Sequence, residues 1–207
     1  DCGCNYGFYS FYTASLSNQN LVVAIEASTA TAKDFEKNLN LNKFDNIVLK
    51  NSAISNTDNT EVKFNESKND WESSLTHNEF DEKEVIKIGT QKIDTIIKDQ
   101  KLDEYVLLIK LDVEGHELQA LEGALNTIEK YKPIIIIELS TYIFNKNDKA
   151  FERLKFFLHK FDYSIYNTEK ILTNLEDLVK LIDSLDSEHE TIGNYYLIND
   201  KNFLNFK

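Results

Sequence analysis

The sequence predicts an α/β fold: a mostly parallel sheet with crossover helices, finished by an antiparallel edge at its C-terminal end. Three observations predict it. Strand and helix patterns alternate along the 207 residues, as they do when helices cross over between parallel strands. Two apolar runs, residues 107–111 and 134–137, each lead straight into a carboxylate, Asp112 and Glu138. Two short tyrosine-bearing segments, 163–166 and 195–198, have the length of a terminal strand pair.

Each element has its own signal. The chain opens on Asp1-Cys2-Gly3-Cys4-Asn5-Tyr6-Gly7, a glycine-bearing turn of the kind that joins a strand to a helix. It contains no methionine, and the strand leading into this turn is expected to precede residue 1. Residues 8–16 read as a helix, and 21–25 as a buried strand ending at Glu26. Ser28 or Thr29 suits the N-cap of a helix whose Ala32, Phe35 and Leu39 are helically spaced. Residues 47–49 form a short strand before Asn51-Ser52-Ala53.

From 55 to 84 the chain is rich in Asn, Asp, Ser, Lys and Glu, and residues 61–65 alternate like an edge strand. A connection this long reads either as a lid carrying Trp71, Ser73 and Ser74, or as a solvated loop anchored by Trp71. Residues 85–89 form another strand, and Ile93, Ile96 and Ile97 mark a helix. The run 107–111 then passes into one helix bearing Leu118, Leu121, Leu125 and Ile128. After the strand 134–137, Phe151, Leu154, Phe157, Leu158 and Phe161 line a helix. Leu175, Leu178, Val179, Ile182 and Leu185 line the next. With no repeat and no proline-rich linker, residues 1–207 read as a single domain.

Composition narrows the partners. A formal net charge of -12, with Arg153 the only arginine, leaves no cluster of cations for a phosphate backbone, so nucleic acid and anionic membrane surfaces are disfavoured. No apolar run has the length of a membrane span. Cys2 and Cys4 are the only cysteines and too few for a structural zinc, and the four histidines lack ligand spacing. Both cysteines read as small residues packed in a turn, in a reducing, cytoplasmic setting.

Chemistry concentrates in two places. Gly3 and Gly7 flank Asn5 where a strand becomes a helix, and Glu26 closes the following strand about 20 residues later, the separation at which an acid reaches a ribose diol. That pairing implies an adenosine-containing cofactor on a Rossmann-like sheet. The G-x-x-x-G spacing, with an acid at Asp1, suits a ligand carrying an ammonium group better than a pyrophosphate. The second place is Asp112-Val113-Glu114-Gly115-His116-Glu117, beyond the carboxyl end of a buried strand, where ligands of open α/β sheets bind. Helix-dipole preference accounts for Glu114 and Glu117 but not for Asp112.

The opening turn, Val23-Ala-Ile-Glu-Ala-Ser, Asn51-Ser-Ala-Ile-Ser, Ser73-Ser-Leu, Ile109-Lys-Leu-Asp-Val-Glu-Gly-His-Glu and residues 133–138 together resemble FkbM-type S-adenosylmethionine-dependent methyltransferases. The resemblance implies a Rossmann-like seven-strand methyltransferase sheet and methylation of a hydroxyl on a sugar, lipid or polyketide-like acceptor. It implies that Asp1, Gly3, Asn5 and Gly7 surround the methionine part of the cofactor. Glu26, with Ala27 beside it, would hold the ribose, and Ser52 and Ala53 would lie against adenine. Asp112 and Glu114 would face the methyl group and the acceptor.

Deprotonating an alcohol calls for a general base, for which Asp112 comes first, then Glu114 and His116, with Glu138 holding the acceptor. Glu117 is expected to orient its neighbours or to cap the helix. A divalent ion on Asp112 with Glu117 or Glu138 is the lesser reading, and no metal is expected. The rival functions are a nicotinamide-type oxidoreductase, disfavoured by the turn spacing, and a non-catalytic binding module of the same fold.

Overall fold

A computed structural model describes residues 1–66, 84–100, 105–145, 149–185 and 191–199. Its strands are β1 Val22–Glu26, β2 Ile47–Asn51, β3 Ala53–Ile54, β4 Glu61–Glu66, β5 Glu84–Gln91, β6 Leu108–Leu111, β7 Ile134–Ser140, β8 Tyr163–Tyr166 and β9 Thr191–Asn199. The helices are α1 Phe8–Leu16, α2 Thr29–Asn42, α3 Ile93–Asp99, α4 Glu117–Glu122, α5 Leu125–Tyr131, α6 Thr141–Asn145, α7 Ala150–Phe161 and α8 Leu175–Asp183. Trp71, Ser73 and Ser74 lie outside the described residues.

The named strands pair into small, mixed sheets. β1 pairs parallel with β2, β6 with β7, and β3 with β5, whereas β4 runs antiparallel to β5 and β9 antiparallel to both β7 and β8. The strand orders are β1-β2, β3-β5-β4 and β6-β7-β9-β8. The antiparallel C-terminal pair was foreseen; its partner β9 lies inside the four-stranded order, with β8 at the edge. Between β1 and β6 stands Cys2, bridged in parallel to Ile25 on one side and Leu111 on the other.

Local chemistry explains most boundaries. Ser28 caps α2, its hydroxyl accepting from the Thr31 N–H at 3.1 Å. Asn46 ties α1 to the start of β2 by donating to the carbonyls of Ala14, Ser17 and Asn20.

The one helix expected after residue 116 is two, α4 and α5, broken at Gly123 and Ala124. A Cβ on Gly123 would stand 2.1 Å from the Ser55 carbonyl oxygen, so the backbone passes where no side chain fits. Asp94 then starts α5 afresh by accepting from the N–H groups of Asn126 and Thr127. The short helix α6 carries no signal that the sequence reading caught.

The main core packs Ile135, Ile137 and Leu139 of β7 and Leu197 of β9 against Leu154 of α7 and Leu121 and Ile128 of α4 and α5. A smaller cluster seats Phe35 of α2 on β1 and β2, its ring stacked on Phe11 of α1. Among the described residues no helix is long and apolar enough to cross a membrane.

Candidate active site

The opening turn is held between β1 and β6 by its backbone. Cys2 N–H donates to the Lys110 carbonyl at 2.9 Å and Asp112 N–H donates to the Cys2 carbonyl at 3.1 Å, while Gly3 and Cys4 both donate to the Ile25 carbonyl. Gly3 has φ 73°, and a Cβ there would stand 1.7 Å from the Asp112 carbonyl oxygen. The turn therefore touches the end of β6 through bare backbone. Cys2 and Cys4 are buried free thiols whose pKa values burial pushes up, which keeps them protonated packing groups.

Glu26, at the carboxyl end of β1, is 8% exposed. Its Oε2 accepts from the Asn5 N–H at 2.9 Å and its Oε1 from the Ser28 N–H at 2.8 Å. Burial pushes its pKa up, and the N–H groups of Ser28, Asn5 and Ala27 pull it down. With three N–H groups on about four acceptor sites, the carboxylate keeps a lone pair for a ligand hydroxyl.

A cavity of about 230 Å³ opens beside it, lined by Gly3, Asn5, Ala27 and Ala53 as well as by both acids Asp112 and Glu114. Ser52 lines it too, and its buried hydroxyl has no hydrogen-bond partner among the described residues, as expected of a group meant for a ligand. Phe8 and Tyr9 form part of the wall from α1.

At the other end, carboxylate oxygens of Asp112, Glu114 and Glu138 all lie within 4.8 Å of one another. β6 and β7 are parallel, so their carboxyl ends deliver these acids to the same edge. Lys110, 9% exposed, stands among them: Nζ lies 2.7 Å from Asp112 Oδ2 and 3.8 Å from Asp1 Oδ1, with the Tyr9 ring centroid at 5.0 Å. Glu138 is pushed up to about 8, first by burial and then by Asp112 and Glu114, against a smaller opposite pull from Lys110.

Two candidates sit apart from this cluster. Glu117, 1% exposed, accepts with Oε1 from the N–H groups of Val113 at 3.0 Å and Gly115 at 3.2 Å, so it fixes the turn that carries Glu114 (φ 51°). Asp112 is grouped with Glu114 and Glu138, not with Glu117, among the carboxylates close enough to share a cation. His116 does not line the cavity. Its Nε2 lies 3.4 Å from Ser55 Oγ, and burial, aided by Arg153, lowers its pKa to about 4. These contacts place the ring beside Ser55 and not in the cavity lining that holds Asp112 and Glu114.

Burial pushes Glu117 up to about 8, well above an ordinary carboxyl. The folded chain thus keeps a proton that the unfolded chain releases above about pH 4.5, and the associated stability is lost as pH rises through 8. Glu117→Gln keeps the acceptor oxygen and cannot ionise. Between pH 6 and 9 the wild type should lose several degrees of melting temperature that the variant keeps, at about 2–4 °C per kcal/mol. Parallel melting curves in thermal denaturation would refute this.

Of the other predicted residues, Asp1 and Gly7 support the cavity from outside. Asp1 accepts from Ser10 Oγ at 2.6 Å, and Gly7 starts α1 against Phe35 and Phe11. The sequence reading missed Lys110 and Tyr9. Lys110 had a signal, a single cation inside the apolar run 107–111. Tyr9 had none, since its neighbours in α1 are also aromatic.

A family model described as "Methyltransferase FkbM domain" matches residues 1–165. Among solved structures, methyltransferase FkbM from Methylobacillus flagellatus KT is similar in fold, with a TM-score of 0.57 at 20% identity. The similarity covers 95% of this chain and 42% of that one, so the chain spans less than half of that protein's length. No curated protein matches the sequence.

Proposed function

Because the chain belongs to the FkbM methyltransferase family, we propose that it transfers a methyl group from S-adenosylmethionine to a hydroxyl on a small-molecule or glycan acceptor. The observation that carries this reading is the cavity itself: one end offers a buried carboxylate and an unpartnered serine hydroxyl, the other a cluster of acids. The donor set fits the cofactor. Glu26 supplies acceptor lone pairs for a ribose diol, and Ser52 a buried hydroxyl for the adenine side.

S-adenosylmethionine supplies a methyl group activated by a sulfonium charge. The chain has to align the acceptor oxygen with it, which is catalysis by proximity, and has to take up the hydroxyl proton. The carboxylate cluster is the group placed for the second task. Asp112, expected first as the base, is paired with Lys110 at 2.7 Å, so its carboxylate already has a partner. Lys110 also supplies the positive charge that Asp112 would otherwise find in a divalent ion, which favours the metal-free reading.

The finer fold reading is a seven-position sheet in the order β2–β1–Cys2–β6–β7–β9–β8. The two parallel bridges of Cys2, to Ile25 and Leu111, support it.

Calorimetric titration of S-adenosylmethionine into the chain tests the function. Saturable binding is expected. A chain that instead binds reduced nicotinamide dinucleotide, followed by its fluorescence, would overturn the proposal in favour of an oxidoreductase.

A further inference from the structure

We propose that Glu138 is the residue that accepts the acceptor's proton, and that it is readied by the methyl donor: binding of the S-adenosylmethionine cation expels a proton that Glu138 holds beforehand. This rests on reading the cavity as the S-adenosylmethionine site.

The argument is one of charge and placement. Lys110 stands beside Asp112 and Asp1, and Asp112 in turn is clustered with Glu114 and Glu138. That ammonium is spent on Asp112 and, more distantly, on Asp1. Glu138 is left facing Asp112 and Glu114, with carboxylate oxygens of all three within 4.8 Å of one another. Opposite it on β9 stands Asn194, which is uncharged. Three like charges this close resist ionising together, and the proton is assigned to Glu138, where burial adds to the repulsion from Asp112 and Glu114. The upward shift of Glu138 to about 8 agrees with that placement.

A sulfonium in a cavity lined by Asp112 and Glu114 does for the cluster what a second lysine would. It favours the ionised form of Glu138, and the displaced proton leaves for solvent. In the transfer, a lone pair of the acceptor oxygen forms the new C–O bond and the C–S bond breaks, its electron pair staying on sulfur. The hydroxyl proton passes to the Glu138 carboxylate. The sulfur is then neutral, so Glu138 retains that proton until the next donor binds. Each turnover releases one proton, and it leaves when the donor binds.

Calorimetry without any acceptor tests this. S-adenosylmethionine and, separately, S-adenosylhomocysteine are titrated into the wild type and Glu138→Gln at pH 7, in buffers of different ionisation enthalpy. The dependence of heat on buffer gives the protons released. The wild type should release up to about one proton more than Glu138→Gln on binding S-adenosylmethionine. It should show no such excess with S-adenosylhomocysteine. Equal release by both proteins, with both binding the donor, would overturn the inference and leave the cofactor reading intact. No donor binding by the wild type would overturn both. Should Glu138→Gln not fold, a carbon-13 carboxyl titration of glutamate-labelled wild type serves instead. Of the glutamates titrating near pH 8, one should move down with S-adenosylmethionine and not with S-adenosylhomocysteine; no movement overturns the inference.

Discussion

Glu26→Ala is expected to weaken S-adenosylmethionine binding by about 100-fold or more, equivalent to about 2.7 kcal/mol. The carboxylate does two jobs at once. It presents lone pairs to the cavity, and it holds the N–H groups of Asn5 and Ser28 at 2.9 and 2.8 Å, fixing the opening turn against the start of α2. Truncation removes the ligand contact and leaves two inward N–H donors without their acceptor. Stability should change less than affinity, because removing a carboxyl that burial disfavours offsets part of the lost bonding. Calorimetry on the variant, with circular dichroism to confirm folding, checks this. Unchanged affinity in a folded variant would remove Glu26 from the site.

Gly3→Ala should have the largest effect on the fold itself. The alanine would meet the left-handed backbone at φ 73° and a carbonyl oxygen 1.7 Å from its new methyl. The first costs about 1–2 kcal/mol. The second is a backbone atom and cannot swing aside, so the turn must leave β6 or β1. A total loss above about 4 kcal/mol is expected, read as a large fall in melting temperature or as insoluble protein. Gly89→Ala is the control. Gly89 has nothing within 4 Å of its would-be Cβ and no left-handed φ, so it should change stability by less than about 1 kcal/mol. Equal behaviour of the two variants would refute the close approach.

Some of this was legible in the residues and some was not, for physical reasons. Asp112 and Glu26 stood out because each closes an apolar strand, where a fold needs no acid. The antiparallel end and the Ser28 cap followed from local pattern. The break at Gly123 did not, because it depends on Ser55, distant in sequence, passing 2.1 Å from the place of a Cβ. β4 enters antiparallel to β5, a direction that the alternation of residues 61–65 does not set. Within the acidic motif, proximity in sequence misled. His116 and Glu117 follow Asp112 closely, yet neither is grouped with it, and the partner that joins the cluster is Glu138, 26 residues on. Lys110 shows the same limit: its presence was readable, but its pairing with Asp1 needed the strands side by side.

Cys2 has a consequence for how ligand and fold depend on each other. In the sheet, the backbone bonds between the β1-β2 pair and the four strands from β6 onward run through residues 1–4. The cavity straddles that seam, with Glu26 and Ser52 on one bank and Asp112 and Glu114 on the other. A molecule that touches both banks is a clasp across that seam, so occupancy and cohesion of the two halves must rise together.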